Sequence, residues 1–320
     1  DELLVSETVV SQTNICDDET FLRRAFFDIV GQPPSLEDVL VYGFEPSVTK
    51  RSLLIEFLLT DKAYGANWSR YWRDVIMFRR TNEQSLLGIT SLESYLTDAL
   101  NNGVSWDQIA ADFITAKGDI KEDGRAVLIA AQQGRPEETV SEISRIFLGI
   151  QIQCAQCHDH PTDRWKQEQF HELVAFFPRV ALRPQQEPRS FIVTATDFVG
   201  RRRTTNANNR FVGTLEHTMP NLVEPTQPGQ VMTPKFFVSG QTLPAGTTDS
   251  VRRDSLARWI TSPDNPWFAK AVTNRVWAEL VGEGFYEPVD DIGPDRTPSA
   301  PKTMDYLAKE FTLSGYDLKW

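Results

Sequence analysis

Apolar positions recur at helical intervals along most of the chain. Phe21, Leu22, Ala25, Phe26 and Ile29 share one helix face. Asp17 and Asp18 can cap its start, and Gly31 with Pro33-Pro34 ends it. Ser35 and Asp38 have the spacing of a capping box for a second helix. Leu53, Leu54, Phe57 and Leu58 mark a third. Trp68, Tyr71, Trp72 and Val75 form an aromatic stripe on a fourth, and such a stripe reads as core before it reads as a cofactor wall. A fifth helix is predicted over 91–100. A sixth follows Ser105, with Trp106, Ile109, Ala110 and Phe113 inward. Residues 1–15 are polar without a clear period, and Lys117 to Gly134 reads as a loop. Val140, Ile143, Ile146, Phe147 and Ile150 then define a strongly periodic helix that runs into residues 154–158, and another carries Trp165, Leu173, Val174 and Phe177.

The composition changes at Pro178. Residues 178–250 are rich in Pro, Arg, Thr, Gly and Asn. Phe191 to Thr196 reads as a short strand, and Phe211 to Leu215 is its expected partner. The run Arg201-Arg202-Arg203 reads as a solvated hairpin tip rather than a phosphate patch, since nothing basic surrounds it. Pro220, Pro225, Pro228 and Pro234 predict an extended connector. Helical spacing resumes at Leu256, Ala257, Trp259 and Ile260. It continues through Ala271, Val272, Val276 and Leu280, and again through Met304, Leu307, Ala308 and Phe311. The expected fold is mainly α, multi-helical, with a small β-hairpin-containing insert between two helical regions. Its parts are a helical domain over 1–178, a Pro-rich irregular and β segment over 179–250, and the start of a second helical domain over 251–320. The abrupt end at Asp317-Leu318-Lys319-Trp320 predicts that the sequence continues, and the start at Asp1 reads as a mature or trimmed chain.

A net charge of −11 argues against a nucleic-acid-binding body. No stretch is long and apolar enough to span a bilayer. No Walker loop, dinucleotide fingerprint or nucleophile elbow is present.

The chemistry concentrates in Cys154-Ala155-Gln156-Cys157-His158, followed by Asp159-His160-Pro161. This is C-x-x-C-H. Two thiols at this spacing can bond the two vinyl groups of one haem, and the next histidine then becomes the proximal iron ligand. A redox disulfide and half of a zinc site remain open from the residues alone. Thioredoxin-like motifs sit in a βαβ context that is not seen here. Structural zinc takes four ligands, and Cys16 is the only other cysteine. Covalent haem is the favoured reading, and because attachment to this motif takes place outside the cytoplasm it implies export to the periplasm or cell envelope.

Several segments resemble the paired planctomycete cytochrome-like and C-terminal domain proteins. Phe21-Leu22-Arg23-Arg24 and Gly31-Gln32-Pro33-Pro34-Ser35 look like that family's start. Phe147-Leu148-Gly149, the segment 154–161 and Trp165-Lys166-Gln167 look like its central signature. Met219-Pro220-Asn221-Leu222, Pro234-Lys235-Phe236-Phe237, Asn265 to Ala269 and Asn274-Arg275-Val276-Trp277 are similar to the paired C-terminal domain. The resemblance covers nearly the whole chain. It implies an exported protein with a cytochrome c-like haem motif, in bacteria rich in polysaccharide-degrading genes, and it leaves the reaction open.

With haem held by Cys154 and Cys157 and iron by His158, the opposite iron face decides between electron transfer and small-molecule chemistry. Candidates for that face are His171, His217, Met219 and Cys16. Of these, Cys16 is the sharpest hypothesis, although an ordinary free thiol is the simpler account of it, and His171 reads first as a surface histidine. His160 is expected to hydrogen-bond a propionate, to orient His158, or simply to sit fixed at a turn. The expected function is electron transfer or a haem-dependent oxidoreductase, with polysaccharide breakdown as a candidate context and a redox partner protein or a small-molecule substrate. The alternative is a non-haem envelope protein that holds a structural metal or acts on glycans.

Overall fold

The structure is a computed structural model that describes residues 2–7, 15–186, 189–197, 202–203, 210–211 and 216–320. It is mainly helical with small antiparallel sheets. Helices α1 (Glu2–Glu7), α2 (Asp18–Val30), α3 (Leu36–Phe44), α4 (Lys50–Thr60), α5 (Lys62–Met77), α6 (Ile89–Asn101) and α7 (Trp106–Thr115) come first. The caps read from sequence are in place. Asp17 accepts the Thr20 amide at 2.8 Å, Gly31 closes α2 in the left-handed region at φ 69°, and Ser35 with Asp38 forms a capping box on α3. Among the described residues no helix is long and apolar enough to cross a membrane.

The aromatic stripe of α5 is core. Trp72 is fully buried, and its ring lies 4.1 Å from that of Trp106 on α7. Trp106 in turn contacts Phe147 at 5.8 Å. Each such ring buries a large apolar area, so this row fixes α5, α7 and the segment leading to the C-x-x-C-H motif against one another.

The stretch 117–134, expected as a loop, is structured in part, and its residues 126–132 are core. It contains β1 (Gly118–Asp119) and α8 (Val127–Ala131), and every residue of α8 is buried. A helix buried on all sides has no polar face, so it leaves no periodic signal. Next come α9 (Pro136–Ile143), a π-turn over Ser144–Leu148, a 3-10 turn over Ile152–Gln156 and α10 (Gln167–Val174). The expected helix over 140–150 therefore stops at Leu148, and buried Ile150 lies beyond it.

The insert also pairs differently from expectation. Strand β2 (Val180–Gln185) is the partner of β3 (Ser190–Ala195), in register Val180 to Ala195 through Gln185 to Ser190, and β1 takes the other edge of β3. The nearer strand wins because a short connection costs less ordering entropy than a long one. Strand β4 (Arg202–Arg203) pairs with β5 (Arg210–Phe211). Arg201 and 212–215, on which the hairpin-tip and partner-strand expectations fall, lie outside the described residues. The proline-rich connector folds back, so that β6 (His217–Met219) pairs with β7 (Gln230–Met232). Gly229 is needed there, because a Cβ on it would clash with the Met219 carbonyl oxygen.

Helices α11 (Asp249–Ile260), α12 (Pro266–Val281) and α13 (Pro301–Leu313) complete the chain. Buried arginines lock the parts together through helix-end carbonyls that lack intrahelical partners. Arg253 donates to Ile114 and Ala116 at the end of α7, at 3.0 and 2.8 Å. Arg252 donates to Ala175 after α10 at 2.7 Å and pairs with Glu216.

Candidate functional site

The C-x-x-C-H segment is aimed by what precedes it. The π-turn after α9 closes at Gly149, which adopts φ 63°. The carbonyl of Gly149 accepts the Ile292 amide at 2.7 Å. Gln151 donates to Asp290 at 3.1 Å, and Arg145, buried beside it, pairs with Glu142 at 2.6 Å and Asp290 at 3.2 Å. The loop between α12 and α13 is therefore fastened to the approach to the motif. It also meets the far side, where Arg164 pairs with Asp295 at 2.8 Å.

Within the 3-10 turn, Ile152 and Ala155 point into the core and are fully buried. Cys154, Cys157 and His158 are exposed, and all three cysteines of the chain are free thiols. His158 Nδ1 lies 2.7 Å from the Asp159 carbonyl. A carbonyl only accepts, which assigns the proton to Nδ1 and leaves the lone pair on Nε2. The Asp159 carboxylate takes Lys166 Nζ at 2.8 Å and the first amide of α10, that of Gln167, at 3.0 Å. These bonds, Lys166 first, hold its pKa below the usual carboxylate range. His160 closes a turn: its amide donates to the Trp165 carbonyl at 2.8 Å, and its Nδ1 accepts the Thr162 amide at 3.3 Å. Trp165 is buried against Phe237 and Trp267.

Behind the motif stand two buried histidines. His171 is not a surface residue: it is 2 % exposed, because α10 turns Phe170, His171 and Val174 inward together. Its Nε2 lies 3.0 Å from the carbonyl of Gln156, one of the two residues between the cysteines. Its Nδ1 lies 2.8 Å from His217 Nε2 on β6, with the rings stacked at 17°. The Gln156 carbonyl assigns the His171 proton to Nε2, so His217 donates from Nε2 to His171 Nδ1. His217 Nδ1 faces Glu137 at 3.9 Å. Burial pushes the pKa of His171 down, against the pull of Gln156 and Glu137. Burial and the neighbouring His171 push His217 down to about 4. Both rings are neutral at pH 7.

Met219 ends β6 opposite Gln230. Cys16 lines an apolar cavity of about 700 Å³ with Phe21, Arg24, Trp68, Trp277 and Trp320, and none of Cys154, Cys157 and His158 lines that cavity. Among the described residues no three His, Cys, Asp or Glu side chains are grouped to hold a metal ion. The pairing of His171 with His217 was not foreseen. The inward position of His171 is visible in the 170, 171, 174, 177 spacing, whereas the position of His217 depends on a contact 46 residues away in the chain.

Compared with known families, residues 4–181 match PSCyt2, a protein family of unknown function (DUF1549), and residues 252–320 match PSD1, a second family of unknown function (DUF1553). No curated protein matches, and no solved structure does. The motif lies in the first matched segment, His217 between the two, and Asp290 and Ile292 in the second.

Proposed function

From the premise that the chain belongs to the PSCyt2 family of proteins of unknown function, we propose that it is an exported c-type haem protein acting in electron transfer or as a haem-dependent oxidoreductase. One observation carries this reading. The two thiols and the imidazole are exposed on and just after one short turn whose residues Ile152 and Ala155 are buried, and His158 offers Nε2 while Asp159 holds Nδ1. A ring nitrogen fixed by a carbonyl on its far side is the usual arrangement of a ligating histidine.

The donor set fits haem. Cys154 and Cys157 would hold it, each S–H adding across one vinyl group, with sulfur bonding one carbon and hydrogen the other, so that neither oxidant nor leaving group is needed. His158 would hold the iron. When bound, the group supplies one-electron chemistry. The chain's own contribution is orientation. Ile152 and Ala155 set which way the thiols face, Asp159 sets the imidazole tautomer, and Lys166 and Gln167 hold Asp159. The net charge of −11 favours a positively charged redox partner over another acidic protein.

The test is a pyridine haemochrome spectrum with intact mass, on protein made in a host with periplasmic haem-ligation machinery. One haem joined by two thioethers supports the reading. Protein of unmodified mass, with metal analysis finding zinc or nothing, overturns it in favour of a scaffold or glycan-active protein.

A further inference from the structure

The carbonyl of Gln156 lies between the two cysteines, at the end of a 3-10 turn. Such a turn leaves its last carbonyls without internal partners. Here the partners come from α10. His171 Nε2 donates at 3.0 Å and Gln167 Nε2 at 3.4 Å, and the two residues are one helical turn apart on the same face. An imidazole alone could rotate away or exchange tautomers. His217 prevents both, because its Nε2–H fills His171 Nδ1. Both rings are buried, so neither bond can be replaced by water without opening the packing between α10 and β6.

We propose that His171 and His217 are positioning residues for the C-x-x-C-H turn, His171 by holding the Gln156 carbonyl and His217 by locking the His171 ring. This rests on the reading that the turn is the haem-attachment site, and it assigns a role to a residue of the insert that neither matched segment contains. The presented geometry of Cys154, Cys157 and His158 then depends on a hydrogen-bond chain running from β6 through α10 to the motif.

The experiment compares His171→Phe, His171→Gln and His217→Leu with the unaltered chain. Phenylalanine keeps the ring volume and removes the donor. Glutamine restores a side-chain N–H for Gln156. The first readout is amide hydrogen exchange of peptides covering 152–158 in the haem-free protein. Loss of one buried hydrogen bond predicts exchange roughly fivefold faster there in His171→Phe and in His217→Leu, with peptides from α5 and α6 unchanged and with recovery in His171→Gln. The second readout is the fraction of chains carrying two thioethers, expected to fall in His171→Phe and recover in His171→Gln. Unchanged exchange at 152–158 in His171→Phe overturns the proposal. If that variant does not fold, His217→Leu, which leaves the Gln156 bond in place but unlocks the ring, decides by the same criterion. If the unaltered chain takes up no haem, the haem reading fails while the exchange comparison still judges the positioning role.

Discussion

The amide of Ile292 donates to the carbonyl of Gly149 at 2.7 Å. This bond joins the segment matching PSD1 to the residue that ends the helical approach to the C-x-x-C-H turn. Gly149 sits at φ 63°, and a Cβ there would stand 2.6 Å from the Ile292 side chain and 3.3 Å from that of Ala271. Gly149→Ala should therefore cost about 2–4 kcal/mol, from left-handed strain together with overpacking. Urea unfolding measures this. Pairing it with Ile292→Ala should recover only the packing part, so the double-mutant cycle should be non-additive. Additive losses would mean that the two residues do not meet.

Arg145 is 2 % exposed. It donates to Glu142, to Asp290 and to the Val75 carbonyl near the end of α5. Removing one side of a buried ion pair leaves the other charge uncompensated. Arg145→Met should destabilise the chain by about 3–5 kcal/mol. Asp290→Asn should cost less, since Glu142 remains to hold the guanidinium. Chemical denaturation of both variants tests the order, and a larger loss in Asp290→Asn would contradict the pairing described here.

How much of this was readable from the chain depends on the range of the contacts involved. The caps at Asp17, Ser35 and Gly31, and the α5 stripe, are local and were legible, as was the mainly helical class. The segment 127–131 was not, because burial on every side removes the polar positions that reveal a helix. The motif was legible as a spacing, but its setting was not. Asp290, Ile292 and His217 reach it from distant parts of the chain, and no local pattern marks a residue whose partner lies 46 or 139 positions away. The strand pairing failed for a related reason. The 180–185 segment contains Pro184 and two charged or amide residues, so its strand signal was weaker than that of 211–215 although it lies closer to β3.

The His217 pKa, lowered from 6.5 to about 4 by burial and by His171, ties stability to pH. A base whose folded pKa is depressed favours the fold while neutral. Its contribution is fully present above pH 6.5, decreases as pH falls through the interval from 6.5 to 4, and is gone below it. A shift of this size corresponds to roughly 3 kcal/mol. His171 is lowered in the same direction and adds to the slope. Unfolding free energy measured between pH 7 and pH 4 should fall with acidification, and His217→Gln should flatten that dependence. An equally steep profile in the variant would assign the acid sensitivity to other groups.

Cys16 is expected to be independent of the motif, because the two line no common cavity. Its cavity is walled by α2, α4, α5, α12 and α13 residues and by residues 317–320, and it includes neither thiol of the motif nor His158. The Cys16 carbonyl is held by Arg51 at 2.7 Å, which also pairs with Asp18, so the residue is tied to the α2–α4 side of the molecule. If haem is attached as proposed, Cys16→Ala should therefore leave its optical spectrum unchanged and its two thioethers intact by mass. A thiolate bound to iron would behave otherwise, because its loss changes both the spectrum and the reduction potential. A spectral change in Cys16→Ala would bring this cavity and the motif into one site.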